Sequence, residues 1–332
     1  MSTNRHLKVL PALFAAWLLG VGCFVAFAQS PMQQKVIIDT DIGDDIDDAF
    51  AVGLALSSSE LKVLGITSAW GDTELRSRML DRLLCETGRS DIPVSTGVKT
   101  AGKAAFSQAV WAKAGEPHTH GDAVDFLLDQ IRKNPRDITL IAIAPLTNIG
   151  AAIDRDPETF KKLKRVVLMG GSVRRGYDEF GMAAARAPEP EYNIASDPAA
   201  ARKLLKSGVP VYMMPLDSTQ LKLDEVKRAM LSTLSTPLTD SLQVLTAEWQ
   251  LTTHQTTPTM FDVVAVAYAL NPELCPATPL HIEVDSSGLT REGPGTANVQ
   301  VCLNSDSDRF FQFLMPRLLD QKMHGNASCV GP

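Results

Sequence analysis

Residues 35–50 read KVIIDTDIGDDIDDAF, and the fold turns on them. Lys35 to Ile38 is mostly β-branched and apolar, the composition of a buried strand, while Ala49, Val52, Leu54, Ala55 and Leu56 supply the packing face of a following helix. Between the two stand six aspartates within ten positions: Asp39, Asp41, Asp44, Asp45, Asp47 and Asp48. Carboxylates this dense repel one another unless a cation or a set of hydrogen-bond donors neutralises them. In open α/β sheets ligands bind outside the carboxyl ends of the strands, so the cluster falls at the expected active-site edge. A solvated acidic loop at a helix N-terminus is the alternative, since the helix dipole favours it. The order strand, Asp-x-Asp, Gly, helix favours a divalent-cation site.

Outward from this stretch, strand-like and helix-like runs alternate. Strands are expected at 36–39, 61–68, 92–95, 137–144, 165–169, 209–214, 281–285 and 298–303. Helices are expected at 45–58, 73–87, 121–133, 147–154, 197–206, 237–250, 262–270 and about 306–320. Near-continuous apolar runs such as ITLIAIA at 138–144 suit a parallel sheet covered on both faces. The pattern predicts an α/β fold: a single domain with a doubly wound, mostly parallel sheet and helices on both faces. Residues 172–190, rich in Gly, Arg, Ala and Pro and without periodicity, read as a mobile loop.

The first 28 residues carry Arg5 and Lys8, an apolar run and then Ala26-Phe27-Ala28, the pattern of a secretory signal peptide. Residues 29–332 are then the catalytic domain, secreted or periplasmic and no longer membrane-attached after cleavage. Loss of Arg5 and Lys8 leaves the chain more acidic than its net charge of −6, and without basic clusters it is a poor nucleic-acid binder. Cys85, Cys275, Cys302 and Cys329 remain, with no C-x-x-C spacing, so one or two disulfides are expected; the sequence leaves all three pairings open.

Two acidic motifs can be tested on the letters. An EF-hand loop from Asp39 requires Gly at position 44 and Glu at 50, where the chain has Asp44 and Phe50. A haloacid dehalogenase-type phosphatase places Gly and then Thr or Val directly after its second Asp, where Ile42-Gly43 stand. The segment instead resembles the nucleoside hydrolase family, whose first strand ends in Asp-Thr-Asp-Pro-Gly-x-Asp-Asp-Ala. Here Ile42 replaces the proline, and two extra residues precede Asp47-Asp48-Ala49.

Further segments extend the resemblance over nearly the whole chain beyond residue 28. They are Pro145-Leu146-Thr147-Asn148, Met169-Gly170-Gly171, Glu191-Tyr192-Asn193 and Phe261-Asp262. The resemblance implies calcium (Ca2+) held by Asp41, Asp48, Asp262 and the Ile143 carbonyl, with Asp41 as the base toward water. It implies ribose hydroxyls gripped by Asp47, Glu191 and Asn193, the last two sharing one side of an extended segment. Oxygen-only ligands suit calcium better than a transition metal. Phe261 stands where the family has a histidine; it can stack on a base but donates no proton. Leaving-group protonation must then come from elsewhere, and His254, in a Thr-rich stretch eight residues before Asp262, is the candidate.

Asp72, at the family's Gly-Asn, is read either as a substrate contact or as a helix cap. Thr147 or Asn148 is expected to cap the helix after Pro145, and Asp197 the helix after it. His118 and His120 form a His-x-His pair without a further soft ligand nearby, so substrate-facing or loop-lining roles are expected.

The implied function is a secreted calcium-dependent hydrolase that cleaves the N-glycosidic bond of ribonucleosides, as a homodimer or homotetramer like family members. The alternatives are the dehalogenase-type phosphatase and a non-catalytic nucleoside- or ribose-binding protein.

Overall fold

Among the described residues eleven strands order the chain: β1 (Gln34–Thr40), β2 (Leu61–Ser68), β3 (Val94–Thr96), β4 (Gly121–Asp122), β5 (Ile138–Ile143), β6 (Arg165–Met169), β7 (Val211–Met214), β8 (Ala277–Leu280), β9 (Ile282–Val284), β10 (Thr290–Glu292) and β11 (Val299–Cys302). The computed structural model describes residues 1–2, 33–102, 105–178, 186–325 and 329. The expected signal peptide therefore lies, but for its first two residues, outside the described residues. Gln33–Pro332 form one compact unit.

Nine strands make one sheet in the order β4-β3-β2-β1-β5-β6-β7-β11-β8, parallel except for the β11–β8 pair; β9 and β10 form a separate antiparallel hairpin. Chain order runs outward from β1 in both directions, so the topological switch lies between β1 and β5. That crevice is where a doubly wound sheet binds its ligand.

Alternation along each strand builds the two covered faces. Val36 and Ile38 of β1 join Ile141 and Ile143 of β5 in one apolar cluster, against helices Asp47–Leu56 and Phe261–Leu270. Ile37, Leu140 and Ala142 point into the other, against helices Ala123–Lys133, Thr147–Arg155 and Pro198–Lys206. Helix Phe261–Leu270 is buried from Asp262 through Ala269. It is apolar all round because it is wedged between the sheet and other helices. Each buried valine there contributes about 1.5 kcal/mol or more of transfer free energy.

The differences from expectation are local. The first helix begins at Asp47 rather than residue 45, which leaves Asp44 and Asp45 in the turn. Residues 281–285 supply β9 of the hairpin and no strand of the main sheet. Two disulfides select one of the three pairings. Cys275–Cys302 staples the C-terminal part, and Cys85–Cys329 ties residue 329 to helix Thr73–Glu86.

Candidate active site

Parallel register sets Asp39 beside Ala142 and Thr40 beside Ile143, so the ends of β1 and β5 open at the same level. The acidic loop leaves β1 there and turns sharply at Gly43, whose φ of +119° is closed to ordinary side chains. A Cβ at Gly43 would also lie 2.2 Å from the Phe106 ring.

Arg76, buried on helix Thr73–Glu86, reaches under this loop. Its guanidinium donates to the carbonyls of Asp41, Ile42 (3.0 Å) and Trp70 (2.8 Å) and pairs with Asp44 at 2.8 Å. Asp39 is held from the other side, its Oδ1 accepting from Thr67 Oγ1 (2.5 Å) and Asn148 Nδ2 (2.8 Å). The loop is therefore clamped by backbone and side-chain bonds before any ligand arrives.

Beyond the clamp, Asp47, Asp48 and Asp262 bring carboxylate oxygens within 4.8 Å of one another, the one such metal-compatible group among the described residues. All three are buried, and the Asp262 N–H donates to Asp47 Oδ2 at 2.9 Å. Thr40 Oγ1 donates to Asp48. Burial, then the neighbouring Asp45 charge, pushes Asp47 well above the ordinary carboxylate range. Burial followed by Asp41 and Asp47 does the same to Asp48. For Asp262 the causes are burial and then Asp47 and Asp48. Asp41 is raised to about 7, again chiefly by burial, even with Arg76 opposing the shift. Three buried carboxylates that repel one another and offer only hard oxygens are the donor set a calcium-sized cation fits.

These groups line a cavity of about 330 Å³ together with Ile143, Glu191, Asn193, Tyr177, Tyr192, Trp249 and Phe261. The lining is thus part anionic and part aromatic, and the volume suits a small polar molecule with a flat ring. Glu191 accepts the N–H groups of Gly171 (2.8 Å), Asn193 (2.9 Å) and Ile194 (3.1 Å), while Asn193 Nδ2 donates to the Met169 carbonyl at 3.2 Å. Phe261 meets Tyr177 edge-on, with ring centroids 6.2 Å apart.

The sequence pattern of the inosine-uridine preferring nucleoside hydrolases matches residues 36–312. The chain belongs to the nucleoside hydrolase family. The non-specific ribonucleoside hydrolase RihC of Escherichia coli is 30% identical over 314 residues, which span 85% of this chain and 97% of that one. The solved purine-preferring ribonucleoside hydrolase of Gardnerella vaginalis superposes with a TM-score of 0.73 at 27% identity, covering 86% of this chain and 98% of that one. A plant nucleoside hydrolase gives 0.74 at 26% identity, covering 86% and 99%. This nucleoside hydrolase is therefore a ribonucleoside hydrolase that cleaves N-glycosidic bonds, and membership sets aside the phosphatase reading.

Within this nucleoside hydrolase, Asp41, Asp47, Asp48, Ile143, Glu191, Asn193, Phe261 and Asp262 all meet at the cavity. Two expected residues do not. His254 is exposed and off the cavity wall, although its neighbours Thr253 and Gln255 line it. It adopts the left-handed conformation (φ 58°) that ends helix Pro237–Thr253, and its ring is not among the groups that line the cavity. Asp72 is the exposed N-cap of helix Thr73–Glu86, accepting from Leu75 N at 3.2 Å, and lines a separate cavity with His118 and His120. Both histidines bond Asp81, so a loop-lining role fits them and a substrate-facing one does not.

Local geometry corrects three further readings. Glu191 has an extended backbone but is the N-cap of a helical turn, Tyr192–Ser196, whose N–H groups its carboxylate accepts, so the two-residue alternation does not carry on to Asn193. Neither Thr147 nor Asn148 caps its helix. Asn148 instead links Asp39 to the Ser68 carbonyl and accepts from Val98 N, whereas Asp197 caps as expected. Residues 179–185 of the expected mobile loop lie outside the described residues, while 172–178 are tied down by Asp217, Gln220 and Thr290.

Sequence reasoning missed Arg76, Tyr177, Tyr192 and Trp249. Arg76 carried a signal: it falls on the helix stripe of Met79, Leu80 and Leu83, where an arginine must find buried partners.

Proposed function

We propose that this ribonucleoside hydrolase is calcium-dependent and works in a secreted or periplasmic setting. The observation that carries the metal reading is the trio Asp47, Asp48 and Asp262, buried in one cavity with no basic side chain among its lining residues. Asp48 and Asp262 would hold the cation, with Asp41 and the Ile143 carbonyl completing its protein ligands and Asp47 at the boundary with the ribose diol. When bound, calcium supplies the charge that acidifies a water and offsets the clustered carboxylates.

Asp41 accepts the proton of the attacking water as the bond between C1′ and the base breaks through an oxocarbenium-like state. Glu191 and Asn193 orient the ribose, so that binding energy is spent on alignment at C1′. Phe261 and the neighbouring aromatic rings give the base a face to stack on and keep water from the leaving side. Two disulfides support an oxidising compartment, in accord with the expected signal peptide.

The test is incubation with inosine and with uridine, quantifying free base and free ribose before chelation, after it, and after adding back calcium or zinc. Loss on chelation with better recovery in calcium is expected. Full turnover in a metal-free sample would overturn the calcium reading, and tight nucleoside binding without any base release would leave a binding protein.

A further inference from the structure

Tyr177 stands in the irregular segment after β6, yet its position is tightly set. The Tyr177 N–H donates to Glu189 Oε1 at 3.0 Å and the next N–H, that of Asp178, to Gln220 Oε1 at 2.6 Å. Gln220 Nε2 returns to the Gly176 carbonyl at 3.0 Å. A Cβ at Gly176 would lie 2.4 Å from the Ala187 carbonyl, so the two limbs of the loop meet closely there.

From this anchored start the Tyr177 ring enters the cavity wall, edge-on to Phe261. Its hydroxyl oxygen accepts the Tyr192 N–H at 3.0 Å, which places it between the two ribose-gripping residues Glu191 and Asn193 in sequence. Among the described residues that hydroxyl donates to no acceptor. Burial, then the Glu191 charge, raises its pKa, so the phenol keeps its proton through the working pH range. A phenolate beside Glu191 would be strongly disfavoured, which suits Tyr177 to donating a hydrogen bond and excludes it as a proton-transferring acid.

Three substituents of a nucleoside must be accommodated. The vicinal diol belongs with the carboxylates, and the base with the aromatic face around Phe261. The 5′-hydroxymethyl group is left for the Glu191 side of the cavity, where Tyr177 offers the unspent donor. We propose that Tyr177 is a specificity-determining residue whose hydroxyl donates to the 5′-oxygen of the ribonucleoside. This rests on the ribose placement in the proposed function.

The experiment compares inosine with 5′-deoxyinosine in the full chain and in Tyr177→Phe, reading kcat/KM and the melting temperature. The wild type should prefer inosine by about tenfold, the usual worth of one neutral hydrogen bond at a site that expects it. Tyr177→Phe should lose that preference by slowing on inosine alone, with 5′-deoxyinosine turnover retained and the ring contact with Phe261 preserved. Equal slowing on both substrates, or an undiminished preference for inosine in the variant, would overturn the 5′-oxygen assignment while leaving the hydrolase intact. A wild type that turns over both substrates alike would overturn it too. Absence of base release from either substrate by the wild type would overturn the hydrolase reading and this inference together. A melting temperature depressed along with activity on both substrates would identify Tyr177 as structural through its bond to Tyr192.

Discussion

The stretch from the end of β1 to the start of the first helix holds two kinds of aspartate a few residues apart. Asp39 and Asp44 are answered by the protein itself, through Thr67 and Asn148 in one case and the Arg76 guanidinium in the other. Asp47 and Asp48, with Asp262, are packed against one another, and repulsion adds to burial in raising all three. The chain thus gives Asp39 and Asp44 hydrogen-bond donors of its own, whereas Asp47 and Asp262 face chiefly other carboxylates and Asp48 has one hydroxyl, that of Thr40. Asp44 sharpens the contrast, since it shares the Arg76 guanidinium with the carbonyls of Asp41, Ile42 and Trp70.

The strongest way to break this division is Asp48→Ala, which should abolish calcium-dependent turnover. Calorimetry should show calcium binding lost in that variant and nearly normal in Asp45→Ala; the reverse result would shift the metal register into the insertion. Next comes Asp41→Asn, expected to cost about 10²–10⁴-fold in kcat with the fold and calcium binding retained, because the amide takes no proton. Near-normal turnover with metal bound would remove Asp41 as the base.

On the self-answered side, Arg76→Ala leaves Asp44 and two loop carbonyls without their buried donor. Denaturant unfolding should register a loss of about 3–5 kcal/mol, the usual cost of breaking a buried pair from one side. A loss under 1 kcal/mol would mean the loop holds its shape without the arginine. The smallest effects concern the base. Stacking on Phe261 is worth about 0.5–1.5 kcal/mol beyond burial, so purine ribonucleosides should be hydrolysed several-fold faster than uridine. His254→Ala should leave both rates within about twofold, as for other exposed positions. Faster uridine turnover, or a collapse of inosine turnover in His254→Ala, would reverse these assignments.

The same division explains what could be read from the letters. Lys35–Phe50 announced strand, loop and helix because apolar periodicity and a run of aspartates are local properties of the chain. Asp262 and Ile143 were reachable through short motifs at the ends of apolar runs. Arg76 showed its burial through the apolar stripe of its helix but not its partners, because these belong to a loop more than thirty residues earlier. The extended run ends at Glu191 because its own carboxylate starts a helical turn, which no nearby residue reveals. His254 lay close to Asp262 in sequence, but the left-handed residue that ends a helix is fixed by backbone geometry, which composition does not encode. Tyr177 lies in a Gly-, Arg-, Ala- and Pro-rich segment without periodicity, where no pattern in the letters places a side chain.

The bond between Cys85 and Cys329 spans 244 positions and encloses the Cys275–Cys302 bridge within its circuit. Nearly all of the catalytic machinery after helix Thr73–Glu86 therefore sits inside a covalent ring. A single protease cut in that span produces no separate fragments: the two pieces stay fastened and migrate as one species until a reductant parts them.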